Sequence, residues 1–269
     1  MFKKSCKILT LSVFFILVII PWDIFFESKV SLTNMLQLPG AQHLFGTDNL
    51  GRDLLVRLSL AIREVVFPLW GVVFIATSLG FLFSILWRSN TSSSPITKLL
   101  YIFEANAALV LSIPLGITVF SFAVFFEVNG LFTVSCTLAV IFFLSSFLQV
   151  RDLFQSSSRL GHWRANEAMG GSLWLRQINY GVRGGWLSSI KSTFVSNMRL
   201  AIIIEASLSY LGFGVSEPDP SFGNMIASHY NMTLKGDFYV ISIIVFTLLL
   251  CTHIPGLILE WRVKPRPLL

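Results

Sequence analysis

Hydrophobic and polar positions alternate along this chain in long blocks, not in the short periods of a soluble fold. Apolar runs cover residues 8–20 (extended through Trp22 to Phe26), 65–87, 99–126, 131–148, 194–210 and 238–258. The run 65–87 is uncharged throughout, and at ~1.5 Å per residue it makes about 34 Å of helix, enough to cross a bilayer core of ~30 Å. The pattern predicts an all-α membrane protein with six transmembrane helices and both termini on one side. The third run contains Glu104, Asn106 and Pro114 but is read as one span. The first has the basic start and short apolar core of a signal peptide. No small-x-small cleavage pattern follows, however, and Trp22, Phe25 and Phe26 occupy that region, so it is expected to stay as a span.

The polar segments between the runs are unequal. Segment 149–192 carries six bases, Arg151, Arg159, Arg164, Arg176, Arg183 and Lys191, against Asp152 and Glu167. A helix is expected from about Arg159 to Met169, capped at its start by Ser156, Ser157 and Ser158. A break at Gly170-Gly171 and a second helix, from Ser172 to about Tyr180, follow. Segment 27–64 holds Gly46-Thr47-Asp48 and Gly51-Arg52-Asp53, turn chemistry leading into an amphipathic helix over 54–61. On residue type alone, Asp48, Arg52 and Asp53 are equally consistent with a solvated set of ion pairs. Segment 212–237 is rich in Gly and Pro. Arg199 and Glu205 lie inside the fifth run, where charges mark functional sites by default. They are six residues apart and do not face each other. Arg199 is expected to snorkel to the cytoplasmic surface; Glu205 either bonds a neighbouring helix or lines a path.

Composition and charge sharpen this picture. The 269 residues are 54% hydrophobic and 13% charged, too apolar for a soluble domain of this size. Of the 20 Lys and Arg, 14 fall on the two ends and on the segments 88–98 and 149–192, and five on the opposite segments. The positive-inside bias therefore places both termini and 149–192 in the cytoplasm, and 27–64 and 212–237 outside. It also accounts for the net charge of +6 without a nucleic-acid partner. Cys6, Cys136 and Cys251 are far apart in the chain, which argues against disulfides and metal sites and for simple packing. No Gly-x-x-x-x-Gly-Lys-[Ser/Thr] phosphate loop occurs, so the chain is not expected to be an enzyme, and no cofactor is implied.

Three stretches, in order, resemble the inner-membrane permease subunits of dipeptide, oligopeptide and nickel ABC importers. The first is Phe45-Gly46-Thr47-Asp48 with Gly51-Arg52-Asp53 and Arg57. The second is Ala168-Met169-Gly170-Gly171-Ser172, similar to the end of the Glu-Ala-Ala, three residues, Gly motif. The third runs from Glu205-Ala206-Ser207-Leu208-Ser209-Tyr210-Leu211-Gly212 through Pro218, Pro220-Ser221-Phe222-Gly223 and Met225. The resemblance implies a single permease domain over 1–269 with the type I importer fold, whose cytoplasmic coupling helices, carried on 149–192, dock on an ATP-binding subunit. It implies a channel subunit of an ATP-driven importer in the bacterial inner membrane. The implied partners are a second homologous permease, two ATP-binding subunits that hydrolyse the ATP, an external substrate-binding protein and lipid. Candidate coupling residues are Arg164, Ala165, Glu167, Ala168, Gly170, Gly171 and Ser172; Glu205, Ser207 and Ser209 are candidates to line or brace the path.

The second stretch departs from the family pattern. Arg164 stands where the motif has its acid and Asn166 where it has its second Ala, while Glu167, one turn on, supplies a carboxylate. Where the family has Ile-Leu-Pro, this chain has Gly181-Val182-Arg183. A degraded or repurposed permease with a regulatory or assembly role is therefore the competing reading, and a secondary transporter is a weaker one, since no internal repeat is evident. Substrates handled by such permeases include peptides, nickel or metal chelates and cationic antimicrobial peptides.

Overall fold

A computed structural model describes residues 10–12, 14, 16, 20, 22, 30–89, 94–126, 130–159, 161, 165, 168–170, 186–234 and 238–259. Among these residues the architecture is helical, with one isolated β-bridge between Thr47 and Asp53. The helices are α1 (Leu54–Ala61), α2 (Phe67–Ser89), α3 (Ser94–Ser112), α4 (Leu115–Phe126), α5 (Leu131–Ser158), α6 (Trp186–Tyr210), α7 (Phe222–Leu234) and α8 (Tyr239–Leu259). The first predicted span lies mostly outside the described residues; those described near it, such as Leu11 and Phe14, are helical, and Phe14 packs on Phe67 and Trp70.

α1 and α2 form one continuous rod, joined by a π turn at Ile62–Val66. The expected boundary near residue 64 thus falls inside a helix of 34 apolar-rich residues, Leu54–Trp87, about 51 Å long and well beyond the ~30 Å a bilayer core needs. Pro68, expected near a helix start, sits in its interior. It has no N–H for the carbonyl four residues back, and the turn ahead of it widens so that Phe67 N donates to Ile62 O. α1 starts sharply because the Asp53 carboxylate accepts from Leu55 N and Val56 N at 2.9 and 3.2 Å, a cap contributing about 1 kcal/mol.

The third predicted span is not one rod. α3 and α4 meet at 91° across Ile113 and Pro114. Pro114 cannot donate, disfavours helix in the residue before it, and has its own carbonyl recruited by Ile117 N and Thr118 N to begin α4. Among the described residues three helices are long and apolar enough to span, or four if the bent pair counts as one. α6 is not among them because Asn197, Arg199 and Glu205 interrupt its apolar run.

α5 continues through 28 residues to Ser158, so the serines expected to open a helix instead close one. Ser156 and Ser158 donate to the carbonyls of Leu153 and Gln155 at 2.9 Å each, which satisfies acceptors left over at a helix end. The most extensive helix–helix contact among the described residues is that of α2 with α5. A Cβ on Gly80 would lie 2.4 Å from the Phe143 carbonyl, and one turn on Ser84 donates to Phe147 O at 3.0 Å. Small residues in this register let two backbones touch where lipid offers no hydrophobic drive for association. α6 is the hub of the other half, packed on α2, α7 and α8. Leu54, Leu58, Ile62, Ile202, Phe222, Met225 and Ile244 share one buried cluster at that junction.

Candidate functional site

The first and third sequence stretches meet at one end of the bundle. Gly46 and Gly51 have φ of 76° and 73°. A Cβ would stand 2.3 Å from Gln37 O at the first and 1.9 Å from Ser31 O at the second, so no side chain fits either turn. These turns fold the segment back on itself, with Leu36 N donating to Asp48 O and Ser31 N to Leu50 O, both at 3.1 Å. Thr47 is the pin, donating to Asn34 O at 2.5 Å and accepting from Gln37 N at 2.8 Å.

The loop delivers Asp48 into a buried ionic network. Asp48 Oδ1 accepts from Leu50 N and Arg52 N at 2.9 and 2.8 Å, and Oδ2 from Arg52 Nε and Arg57 Nη1 at 2.7 Å each. The far sides of both guanidiniums reach Glu217, with Arg52 Nη2 and Arg57 Nη2 donating to its Oε1 at 3.2 and 3.3 Å. Asp48 is fully buried, whereas the Glu217 side chain is 37% exposed. Two acids and two bases cancel, so the network is neutral and each charge has a partner, as burial requires. Burial acts to raise the Asp48 carboxyl, but the Arg52 amide and the two guanidiniums outweigh it and hold the group below the usual range. The same contest, won by Arg52 and Arg57, leaves Glu217 lowered. Asp53 combines its capping role with a 2.8 Å contact to His43 Nδ1. The solvated set of ion pairs that residue type alone allowed is thus excluded: Asp48, Arg52 and Asp53 are all buried.

The third stretch is built to present Glu217. Gly212, at φ 85°, ends α6; Phe213 N donates to Leu208 O and Gly212 N to Ser209 O, a Schellman close. Ser209 Oγ donates to Glu205 Oε1 at 2.5 Å and accepts from Val215 N at 2.8 Å. α7 begins at a reciprocal cap, Ser221 N donating to Asn224 Oδ1 and Asn224 N to Ser221 Oγ. Gly223 lets α7 lie on α6, since a Cβ there would stand 2.0 Å from Ala206 O. Asn49 Nδ2 donates to Ser228 O on α7 at 3.3 Å, tying the two stretches together a second time. Sequence reasoning assigned no role to Glu217, His43, Asn224 or Arg57; Glu217 meets Arg52 and Arg57 from a distant segment, whereas the partners of His43 and Asn224 lie nearby in the chain.

The two intramembrane charges find partners. Arg199 Nε donates to Thr252 O of α8 at 2.9 Å, and its Nη2 lies beside Gly256, near the end of that helix. Gly256 makes room, since a Cβ there would be 2.4 Å from Arg199 Nη2, and Pro255 just before it lacks the N–H of a regular turn. Glu205 reaches no neighbouring helix through a hydrogen bond; it is fully buried and bonds Ser209 of its own helix, while its Oε2 has no partner among the described residues. Ser207 turns its hydroxyl onto Ile203 O of the same helix.

Arg164, Glu167, Gly171 and Ser172 lie outside the described residues. Ala165 and Ala168 are helical and exposed, Met169 N donates to Ala165 O at 3.1 Å, and Gly170 follows at φ 76°. No described residue would touch a Cβ on Gly170. Its left-handed backbone, rather than any close neighbour among the described residues, calls for glycine.

A second feature lies at the α3–α4 elbow. A cavity of about 350 Å³ is lined by Ser112, Pro114, Thr118, Ser145, Asn197 and Leu200, among others. A more apolar one of about 300 Å³, reaching Phe132, Thr133 and Cys136, shares Val110, Thr118 and Ile141 with it.

No family model matches the chain. It is 28% identical over 226 residues to the oligopeptide transport system permease protein OppC of Bacillus subtilis, covering 81% of this chain and 70% of that protein. Over 247 residues it is 24% identical to the probable D,D-dipeptide transport system permease protein DdpC of Escherichia coli, covering 89% and 80%. It is also 25% identical over 213 residues to the glutathione transport system permease protein GsiD of Pectobacterium atrosepticum, covering 77% and 66%.

Proposed function

We propose that this chain, a relative of the permease proteins of bacterial peptide transport systems, is a membrane channel subunit of an ATP-driven importer of peptides or a related small solute. The observation that carries the reading is the joined outer structure. Residues 43–57 and 205–229, the two stretches that drew attention in the sequence, fold against each other through Asp48, Arg52, Arg57 and Glu217.

In this reading the chain pairs with a second, similar permease, with six spans each and both termini in the cytoplasm. The outer network faces an external binding protein. The segment 149–192 carries the helix that ATP-binding subunits move, and those subunits supply the hydrolysis. A rigid α5, prolonged past the bilayer to Ser158, suits transmission of that movement as a rigid body. Arg164 in place of the motif's acid supports one competing reading, a permease that assembles but no longer couples.

The test is uptake of labelled oligopeptide by the reconstituted complex, with ATP hydrolysis followed in the same vesicles. Peptide accumulation together with hydrolysis stimulated by loaded binding protein supports the importer. Assembly with unstimulated hydrolysis and no uptake supports the repurposed permease.

A further inference from the structure

The elbow between α3 and α4 breaks a span where breaking one is expensive. Ser145 lies near the middle of α5 and Asn197 near the middle of α6, and both line the elbow cavity, so the break sits at mid-bundle. A 91° turn cannot carry the i to i−4 ladder across it; the last carbonyls of α3 and the first amides of α4 lose their helical partners. At that depth such backbone persists only where protein or a water-filled space receives it.

The cavity is chemically selective. Neither it nor the adjoining one is lined by Asp, Glu, Lys, Arg or His. The elbow cavity offers neutral hydrogen bonding set in apolar walls, and the adjoining one is almost wholly apolar. Asn197 gives its Nδ2 to Thr77 at 3.1 Å, which aims the amide and leaves its oxygen as an acceptor. The Ser145 hydroxyl makes no hydrogen bond to a described residue; Thr133 Oγ1 has none among the described residues either, but it is shielded from the second cavity. The shared residues Val110, Thr118 and Ile141 make the two spaces one cleft along α5, from Phe132 at one end to Ser145 near the middle.

We infer that this cleft binds the uncharged backbone amides of a peptide in transit, with Asn197 and Ser145 as hydrogen-bonding positions and the elbow as its inner end. The inference rests on the importer reading. It identifies amide chemistry rather than charge as what the wall recognises, because a charged group there would find no counter-ion.

The experiment is thiol accessibility in the reconstituted complex. Cys6 and Cys251 are replaced by Ser; Cys136, already on the wall, reports the outer part, and Ser145→Cys or Ser112→Cys reports the elbow. A charged, membrane-impermeant methanethiosulfonate reagent is applied with and without a short peptide whose side chains are uncharged. Reaction at both depths, slowed several-fold by the peptide, is the expected result. Inert thiols in a complex that takes up peptide overturn the inference and mean that the second permease or lipid covers this face. Reaction unaffected by peptide overturns it too, leaving only a hydrated space. If an elbow variant fails to assemble, Cys136 alone carries the comparison. Peptide-sensitive labelling in a complex that transports nothing would refute the importer reading and leave the cleft standing.

Discussion

Asp48→Asn is the sharpest perturbation of the network that joins Asp48 to Glu217. It keeps the side chain's size and removes one charge from a site that is fully buried. Arg52 and Arg57, whose side chains are 7% and 3% exposed, would then share only the half-exposed Glu217. Breaking a buried pair by removing one partner costs about 3–5 kcal/mol, because the survivor stays charged and uncompensated. At the lower end this is ~150-fold in the equilibrium for opening the segment. The direct readout is amide hydrogen exchange of Leu50 and Arg52, whose N–H groups both donate to Asp48 Oδ1. Their protection should fall by two orders of magnitude or more, while that of α2 stays unchanged. Glu217→Gln should cost about 1 kcal/mol or less, since its partner contacts are longer and water reaches it. Unaltered exchange at Leu50 and Arg52 in Asp48→Asn would falsify the view that this carboxylate organises the segment.

Other expectations follow from single contacts. Gly80→Val should prevent α2 from seating on α5, because its Cβ meets a backbone carbonyl at 2.4 Å; loss of folded protein on size-exclusion chromatography is the check, and a normal yield refutes it. Gly256→Ala should lower thermal stability, and less so in an Arg199→Ala background, since the obstructing atom belongs to Arg199; additive effects of the two changes would count against the contact. The network should hold from neutral pH down to about pH 5 and loosen below about pH 4. Asp48 and Glu217 have depressed folded-state values, so their contribution is present above the unfolded range and lost as pH falls through the folded one. Pepsin cleavage within residues 30–57 across a pH series reads this, and loosening already at pH 6 would contradict it.

Apolar blocks, turn glycines and the three recognisable stretches were all legible along the chain, because each depends on neighbours a few residues away. Pro114 was visible too, but whether a proline kinks a span or splits it depends on what receives the freed backbone. That receiver, the space beside Ser145 and Asn197, exists only after α5 and α6 pack nearby. The serines at 156–158 illustrate the same limit. A run of serines caps one helix or closes another according to where the preceding helix stops.

What sequence determined by itself is the membrane class, the apolar blocks that became α2, α5 and α8 and the identity of the motif residues, since hydrophobicity and backbone conformation are local properties. Tertiary structure alone decided who partners whom. Asp48 and Glu217 are joined through Arg52 and Arg57 across more than 160 positions, Arg199 is spent on the Thr252 carbonyl, and Glu205 is closed off with Ser209. Charges buried in a bundle must be matched in three dimensions, and no one-dimensional pattern specifies which distant segment brings the match.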